Sequence, residues 1–161
     1  FDNWGNFAIP VFFFIMFIGG CAGSTTCGIK IFRFQVLYAA AKTQFQNLAQ
    51  PHGVFIPYYN HRPIPEEVIG SVLSFFFVFF FTYTLLAIAL AFLGLDFITS
   101  VSAAASAISN VGPGLGPVVG PDGNYASLPA AAKWILSIGM LLGRLELFTV
   151  MVLFTRAFWR A

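Results

Sequence analysis

Two stretches of this chain, Asn3 to Ile29 and Val68 to Leu95, hold no side chain that is charged at neutral pH. Each exceeds the ~20 residues with which a helix crosses a bilayer. The composition agrees: 58% of residues are hydrophobic, 9% are charged, and the mean hydropathy is +0.83. A soluble domain carries about 25% charged residues, because water must wet its surface. We therefore expect an all-α membrane protein whose surface faces lipid or other protein. The net charge of +2, with no run of Lys or Arg, excludes nucleic acid as a partner. Cys21 and Cys27 share one apolar stretch and indicate neither a disulfide scaffold nor a metal site. The start on Phe1, with no basic leader, leads us to expect a piece of a longer polypeptide.

Three segments follow from the patterning. Residues 1–33 read as a transmembrane helix anchored by Trp4, Lys30 and Arg33. Its first part, Phe7 to Ile18, is bulky and apolar, whereas Gly19 to Gly28 holds four glycines and three hydroxyls in ten residues. Residues 34–65 read as an amphipathic helix from about Phe34 to Ala49 followed by an extended loop at the membrane surface. Residues 66–161 read as a helix–pore–helix unit. Glu66 and Glu67 suit the first turn of a helix, where acidic groups meet the positive end of the dipole. The span from Val68 to Leu95 ends at Gly94 and Asp96. The stretch Phe97 to Ser109 is too short to cross, since runs of ~10–14 residues read as re-entrant or buried helices. The loop Asn110 to Pro117 follows, then a polar turn region (Gly120 to Pro129), then a last span from about Ala131 to Phe154 that carries Arg144 and Glu146. With residues 34–65 and the C-terminus in the cytoplasm, Lys30, Arg33, Lys42, Arg62, Arg156 and Arg160 lie inside and Lys133 alone outside, as the positive-inside bias requires.

Irregular backbone is tolerated at membrane depth only where protein covers it or water reaches it. Asn110 to Gly116 therefore either lines an aqueous cavity or forms a buried turn. Glycines at 112, 114 and 116 allow successive carbonyls to point toward one axis, and the short helix brings the negative end of its dipole to the same place. Rings of backbone carbonyls replace the hydration shell of potassium in known channels. The plainer reading is an extracellular turn, the usual meaning of a Gly/Pro cluster. The non-spanning helix between two full spans favours the first.

Gly23, Gly28 and Lys30 imitate a phosphate-binding loop, but the lysine comes one residue late and no strand precedes it. Ser24 as a nucleophile would need a base within reach, and both histidines lie in the 34–65 segment. No enzyme is expected, because no acid–base constellation lies within the membrane. Helix packing through GxxxG accounts for Gly139 and Gly143. It does not account for Gly20, Gly28 and three hydroxyls beside Gly19 and Gly23, which favour an unwound segment. Arg144, eleven residues after Lys133, would sit roughly 16 Å into the membrane at the helical rise. A charge at that depth costs about 2.5–3.5 kcal/mol on insertion scales, so it should face the protein interior. Glu146 diverges from it on the helix. Arg144 thus either pairs with neighbouring spans or points into a permeation path, repelling cations or tethering the glycine-rich loop.

Three motifs resemble one family. Phe17-Ile18-Gly19-Gly20-Cys21-Ala22-Gly23-Ser24-Thr25-Thr26-Cys27-Gly28-Ile29-Lys30 is similar to the intramembrane loop of TrkH/KtrB potassium uptake proteins. Asn110-Val111-Gly112-Pro113-Gly114-Leu115-Gly116 resembles their fourth selectivity-filter loop, and Leu142-Gly143-Arg144-Leu145-Glu146 their last pore helix. The order and spacing match the C-terminal third of such a protein: the last helix of the third repeat and the fourth helix–pore–helix repeat. The resemblance implies three transmembrane helices, one broken by an intramembrane loop, plus a re-entrant pore helix. It implies an ion-binding filter at Asn110, Val111, Gly112, Pro113 and Gly114, with potassium at the carbonyls of Asn110, Val111 and Gly112. It also implies a gate beneath it, formed by Gly19, Gly20, Gly23, Ser24, Thr25, Thr26, Gly28 and Arg144. Cys27 stands where many relatives have glycine. The cargo would be potassium, with no organic cofactor, in the cytoplasmic (inner) membrane. Partners would be the remaining repeats, membrane lipid, a second copy in a homodimer, and a cytosolic TrkA- or KtrA-like nucleotide-binding regulator. Alone, with one filter segment of four, the chain is not expected to conduct. A sodium-conducting relative and a non-conducting assembly subunit are the alternatives.

Overall fold

The computed structural model describes residues 7–145, so Trp4, Glu146, Arg156, Arg160 and the later part of the expected last span lie outside the described residues. The regular elements of the described chain are helices apart from one small hairpin. In order it forms α1 (Ala8–Ile15), α2 (Ile31–Ala49), β1 (Tyr58–Tyr59), β2 (Arg62–Pro63), α3 (Glu66–Phe92), α4 (Phe97–Ser109), α5 (Gly116–Val119) and α6 (Ala130–Arg144).

The first apolar run does break, and earlier than expected: α1 stops at Ile15 rather than near Ile18. The cause is a tertiary pairing. Ile29 donates to Phe17 O and accepts from Gly19 N, both at 2.9 Å, and Ile31 N reaches Gly20 O at 3.1 Å. These backbone groups cannot also continue a helix, so residues 19–28 are a closed loop hung from a neck at Ile18 and Ile29. Gly19 and Gly23 are therefore not a helix-packing pair. The same neck lets α2 begin at Ile31, three residues before the expected Phe34.

The segment after α2 was expected as an extended loop. It contains an antiparallel hairpin pairing Tyr58 with Pro63 and Tyr59 with Arg62. Its two turn residues, Asn60 and His61, have φ of 47° and 62°. Positive φ at both central positions is the backbone of a type I′ turn, which matches the twist of paired strands.

Among the described residues, α3 is the one helix long and apolar enough to cross a membrane. Glu66 and Glu67 occupy its first turn. One face packs inward through Val72, Phe75, Phe79, Leu86 and Leu90. The opposite face leaves Phe77, Phe81, Ile88 and Phe92 exposed, an apolar surface suited to lipid or to further protein. More than two turns into α3, the Phe75 ring centre lies 3.7 Å from the Arg33 guanidinium of α2, near enough for a cation–π interaction.

The centre of the fold is α4, which packs against both α3 and α6. Its 13 residues span about 20 Å, and every residue from Ser102 to Ser109 is buried. Alanine and serine at 102–107 keep it thin enough for two neighbours to approach, the usual way helices pack without a solvent-driven hydrophobic effect. Helix α6 meets it through glycines: a Cβ at Gly139 would lie 3.5 Å from the Ala107 Cβ, and one at Gly143 would overlap the Ile108 carbonyl. Gly143→Ala is therefore expected to destabilise the fold by at least about 1–3 kcal/mol, because the obstacle is backbone rather than a movable side chain. Thermal unfolding in detergent checks this, with Gly23→Ala, where nothing lies within 4 Å, as the neutral comparison.

Candidate functional site

The site is built on the two ends of α4. At its start, Asp96 accepts a hydrogen bond from Thr99 N at 3.1 Å, a side-chain cap on otherwise unpaired amides. The hydrogen bond from the Thr99 amide holds the Asp96 carboxyl below its ordinary value. A lowered pKa stabilises the fold fully above the unfolded-state value, and that contribution disappears as pH falls through the lower folded value. Asp96→Ala is expected to lower stability by about 1 kcal/mol at neutral pH. The difference from wild type should vanish in strong acid, read as converging Tm values.

At its far end α4 stops at Asn110, whose backbone is left-handed (φ 52°, ψ 44°). The loop that follows is strapped back to the helix by two serines one turn apart. Ser106 Oγ accepts from Gly112 N at 3.1 Å and donates to Gly112 O at 2.9 Å. Ser102 Oγ accepts from Leu115 N at 3.0 Å and donates to Leu115 O at 3.2 Å. The Tyr125 hydroxyl donates to Gly112 O at 2.9 Å, and Asn110 Nδ2 donates to Met140 O of α6 at 2.9 Å.

The Gly112 carbonyl accepts from both Ser106 and Tyr125. Gly114 is buried inside the chain, where a Cβ would lie 2.6 Å from Val119 Cγ2. The carbonyls of Asn110, Val111 and Pro113, by contrast, accept no hydrogen bond among the described residues. Those three residues line a cavity of about 510 Å³.

The glycine-rich loop borders the same cavity. Gly19, Thr26, Cys27 and Arg144 line it together with Asn110, Val111 and Pro113. A second cavity of about 210 Å³ lies on the other side of the loop, lined by Ser24, Thr25, Gly28, Lys30 and Arg33. Thr26, Cys27 and Arg144 border both. Arg144 Nη1 donates to Thr25 O at 2.8 Å and lies 3.7 Å from Cys27 Sγ. The Ser24 and Thr26 hydroxyls are hydrogen-bonded to each other. Gly20 supports the neck through its carbonyl, while Gly23 borders neither cavity.

Four residues that sequence reading did not single out belong here. Ser102 and Ser106 form the straps, Tyr125 completes the hold on Gly112, and Ser109 borders the larger cavity with a buried hydroxyl that finds no partner among the described residues. The i, i+4 spacing of Ser102 and Ser106 was visible on a helical reading. Nothing local marked Tyr125.

Comparison with known proteins gives the class first: residues 1–160 match the TrkH model, described as a cation transport protein. The chain belongs to the TrkH family. It is 51% identical over 160 residues to the Trk system potassium uptake protein TrkI of Halomonas elongata, covering 99% of this chain and 32% of that protein. It is 36% identical to the Trk system potassium uptake protein TrkH of Salmonella typhimurium, covering 98% of this chain and 32% of that one. Among solved structures, the potassium transporter TrkH from Vibrio parahaemolyticus superposes with a TM-score of 0.86 at 32% identity, over 98% of this chain and 33% of that one. The chain thus spans about a third of the length of the relatives it matches. Membership of this family places it in a membrane.

Proposed function

We propose that this chain is the C-terminal third of a potassium uptake protein of the cytoplasmic membrane and supplies one quarter of its filter together with a gate. In this reading α4 is a re-entrant pore helix, α3 and α6 are its flanking spans, and Asn110–Gly114 is the filter loop. Residues 19–28 and Arg144 form the gate, and the 34–65 segment is cytoplasmic. The observation that carries the reading is the shared cavity. Asn110, Val111 and Pro113, whose carbonyls accept no hydrogen bond among the described residues, line the same cavity as Gly19, Thr26, Cys27 and Arg144. Carbonyl oxygens at the end of a helix dipole suit a cation, and a positive side chain below them opposes its passage. The relatives' description as potassium uptake proteins supports potassium as the cargo.

The remaining repeats, a second copy of the protein, surrounding lipid and a TrkA- or KtrA-like regulator are the partners we propose for the whole protein. The test is potassium and sodium flux through liposomes containing the full-length protein, with and without Gly112→Ser. Erosion of a potassium preference supports the filter reading. Unchanged flux and selectivity would falsify it.

A further inference from the structure

The Gly19–Gly28 loop is fastened at two places, and unequally. At its tip, among the described residues, Arg144 alone hydrogen-bonds to residues 21–27 from outside the loop, through Thr25 O at 2.8 Å and Cys27 Sγ at 3.7 Å. The other bonds of that stretch stay inside it: Ser24 N donates to Cys21 O, Thr26 N to Ser24 Oγ, and the two hydroxyls meet each other. At its base, three backbone bonds close the neck between residues 17–20 and 29–31. The approach there is tight, since a Cβ on Gly19 would lie 2.5 Å from Cys27 O and one on Gly28 3.3 Å from Phe17 O.

The base is also packed. Phe17 and Ile29, which share one of those bonds, are both buried. The Phe17 ring stands edge-on to Phe13 and Tyr83 with centres 5.3 Å apart in each case, edge-on to Phe79 at 6.2 Å, and tilted against Phe80 at 5.9 Å. Edge-to-face rings at such distances attract beyond the area they bury, so the contact sets an orientation as well as a position. Phe79, Phe80 and Tyr83 all belong to α3. Phe17 is therefore where the loop is fixed to the long apolar helix, and its carbonyl is where the neck closes.

We propose that Phe17 is a positioning residue for the gate: its ring, seated against α3, sets the angle at which the Gly19–Gly28 loop leaves its neck and so brings Thr25 to Arg144. The inference rests on the gate reading above. A flap held firmly at its base and lightly at its tip turns about the base, and a small rotation there is magnified at the tip. Removing the ring edges loosens that seat, the tip leaves the guanidinium, and the passage is no longer closed. Phe17 itself touches neither the ion nor Arg144.

The experiment measures potassium flux of the full-length protein in liposomes for Phe17→Leu, Phe80→Leu, Arg144→Ala and the Phe17→Leu/Arg144→Ala pair, with thermal unfolding of each. Leucine keeps an apolar side chain and removes the ring. Phe17→Leu is expected to raise flux about three- to tenfold, the scale of one lost hydrogen bond. In the Arg144→Ala background it should change flux by less than about twofold, because residues that act through one contact do not add. Phe80→Leu, at the exposed edge of the cluster, should raise flux by less and carries the prediction should Phe17→Leu not fold. If Arg144→Ala raises flux while both phenylalanine variants lower only Tm, Phe17 is packing alone, and the proposal is overturned with the gate reading standing. A Phe17→Leu increase that multiplies in full with that of Arg144→Ala overturns it equally. If Arg144→Ala fails to raise flux, the gate reading fails and this proposal with it.

Discussion

Gly112→Ser in the full-length protein is expected to reduce the preference for potassium over sodium by roughly tenfold or more while leaving a folded protein. The reasoning separates sterics from conformation. Nothing lies within 4 Å of a Cβ at this position, so the serine side chain has room. Its backbone, however, sits at φ +111°, where a residue with a Cβ is strained by about 1–3 kcal/mol. The cheapest relief is rotation of the peptide, which pulls against Ser106 and Tyr125 and re-aims the neighbouring carbonyls. Since about 1.4 kcal/mol is tenfold in an equilibrium constant, strain of this size is enough to redistribute the loop between conformations. Selectivity depends on the number and placement of carbonyl oxygens around the ion, so it should suffer before stability does. Parallel flux and unfolding measurements check both halves. A variant with wild-type flux and selectivity would mean that Asn110–Gly116 is only a turn.

The second large effect is expected at Arg144. Replacing it with alanine should raise the potassium flux of the full-length protein by roughly ten- to a hundredfold. Two contributions act together. A guanidinium bordering both cavities repels a cation passing between them, by roughly 3 kcal/mol at ~6 Å and an effective dielectric of about 20. Its hydrogen bond to Thr25 O also ties the Gly19–Gly28 loop to the end of α6. Arg144→Gln separates the two, because it removes the charge and keeps a donor. A flux rise in both variants assigns the barrier to charge, and a rise in alanine alone assigns it to the tether. A fall in flux for Arg144→Ala, in a protein that still folds, would sink the gate reading.

Much of the architecture was legible because membrane constraints act locally. The charge-free run that becomes α3, the acidic first turn at Glu66 and Glu67, and the short helix Phe97–Ser109 all follow from patterning within one segment. The α4 bounds coincide with those expected, because Asp96 supplies a cap and Asn110 tolerates a left-handed end. The motif around Gly19–Gly28 marked a break in the first run. Its position at Ile15 was not readable, because it is set by pairing with Ile29, across the loop.

The sequence by itself determined that this chain is a helical membrane protein of the TrkH family, with two glycine-rich breaks in otherwise apolar helices. Hydrophobic run length and turn chemistry are properties of neighbouring residues, so no tertiary contact is needed to read them. Only the tertiary structure decided which carbonyls of Asn110–Gly114 are free and that Arg144 reaches Thr25. It likewise decided that Ser106 and Tyr125 hold Gly112. Those outcomes depend on hydrogen bonds between groups as far apart as 119 residues, and a carbonyl's direction follows from the partner that claims it rather than from the residue that bears it.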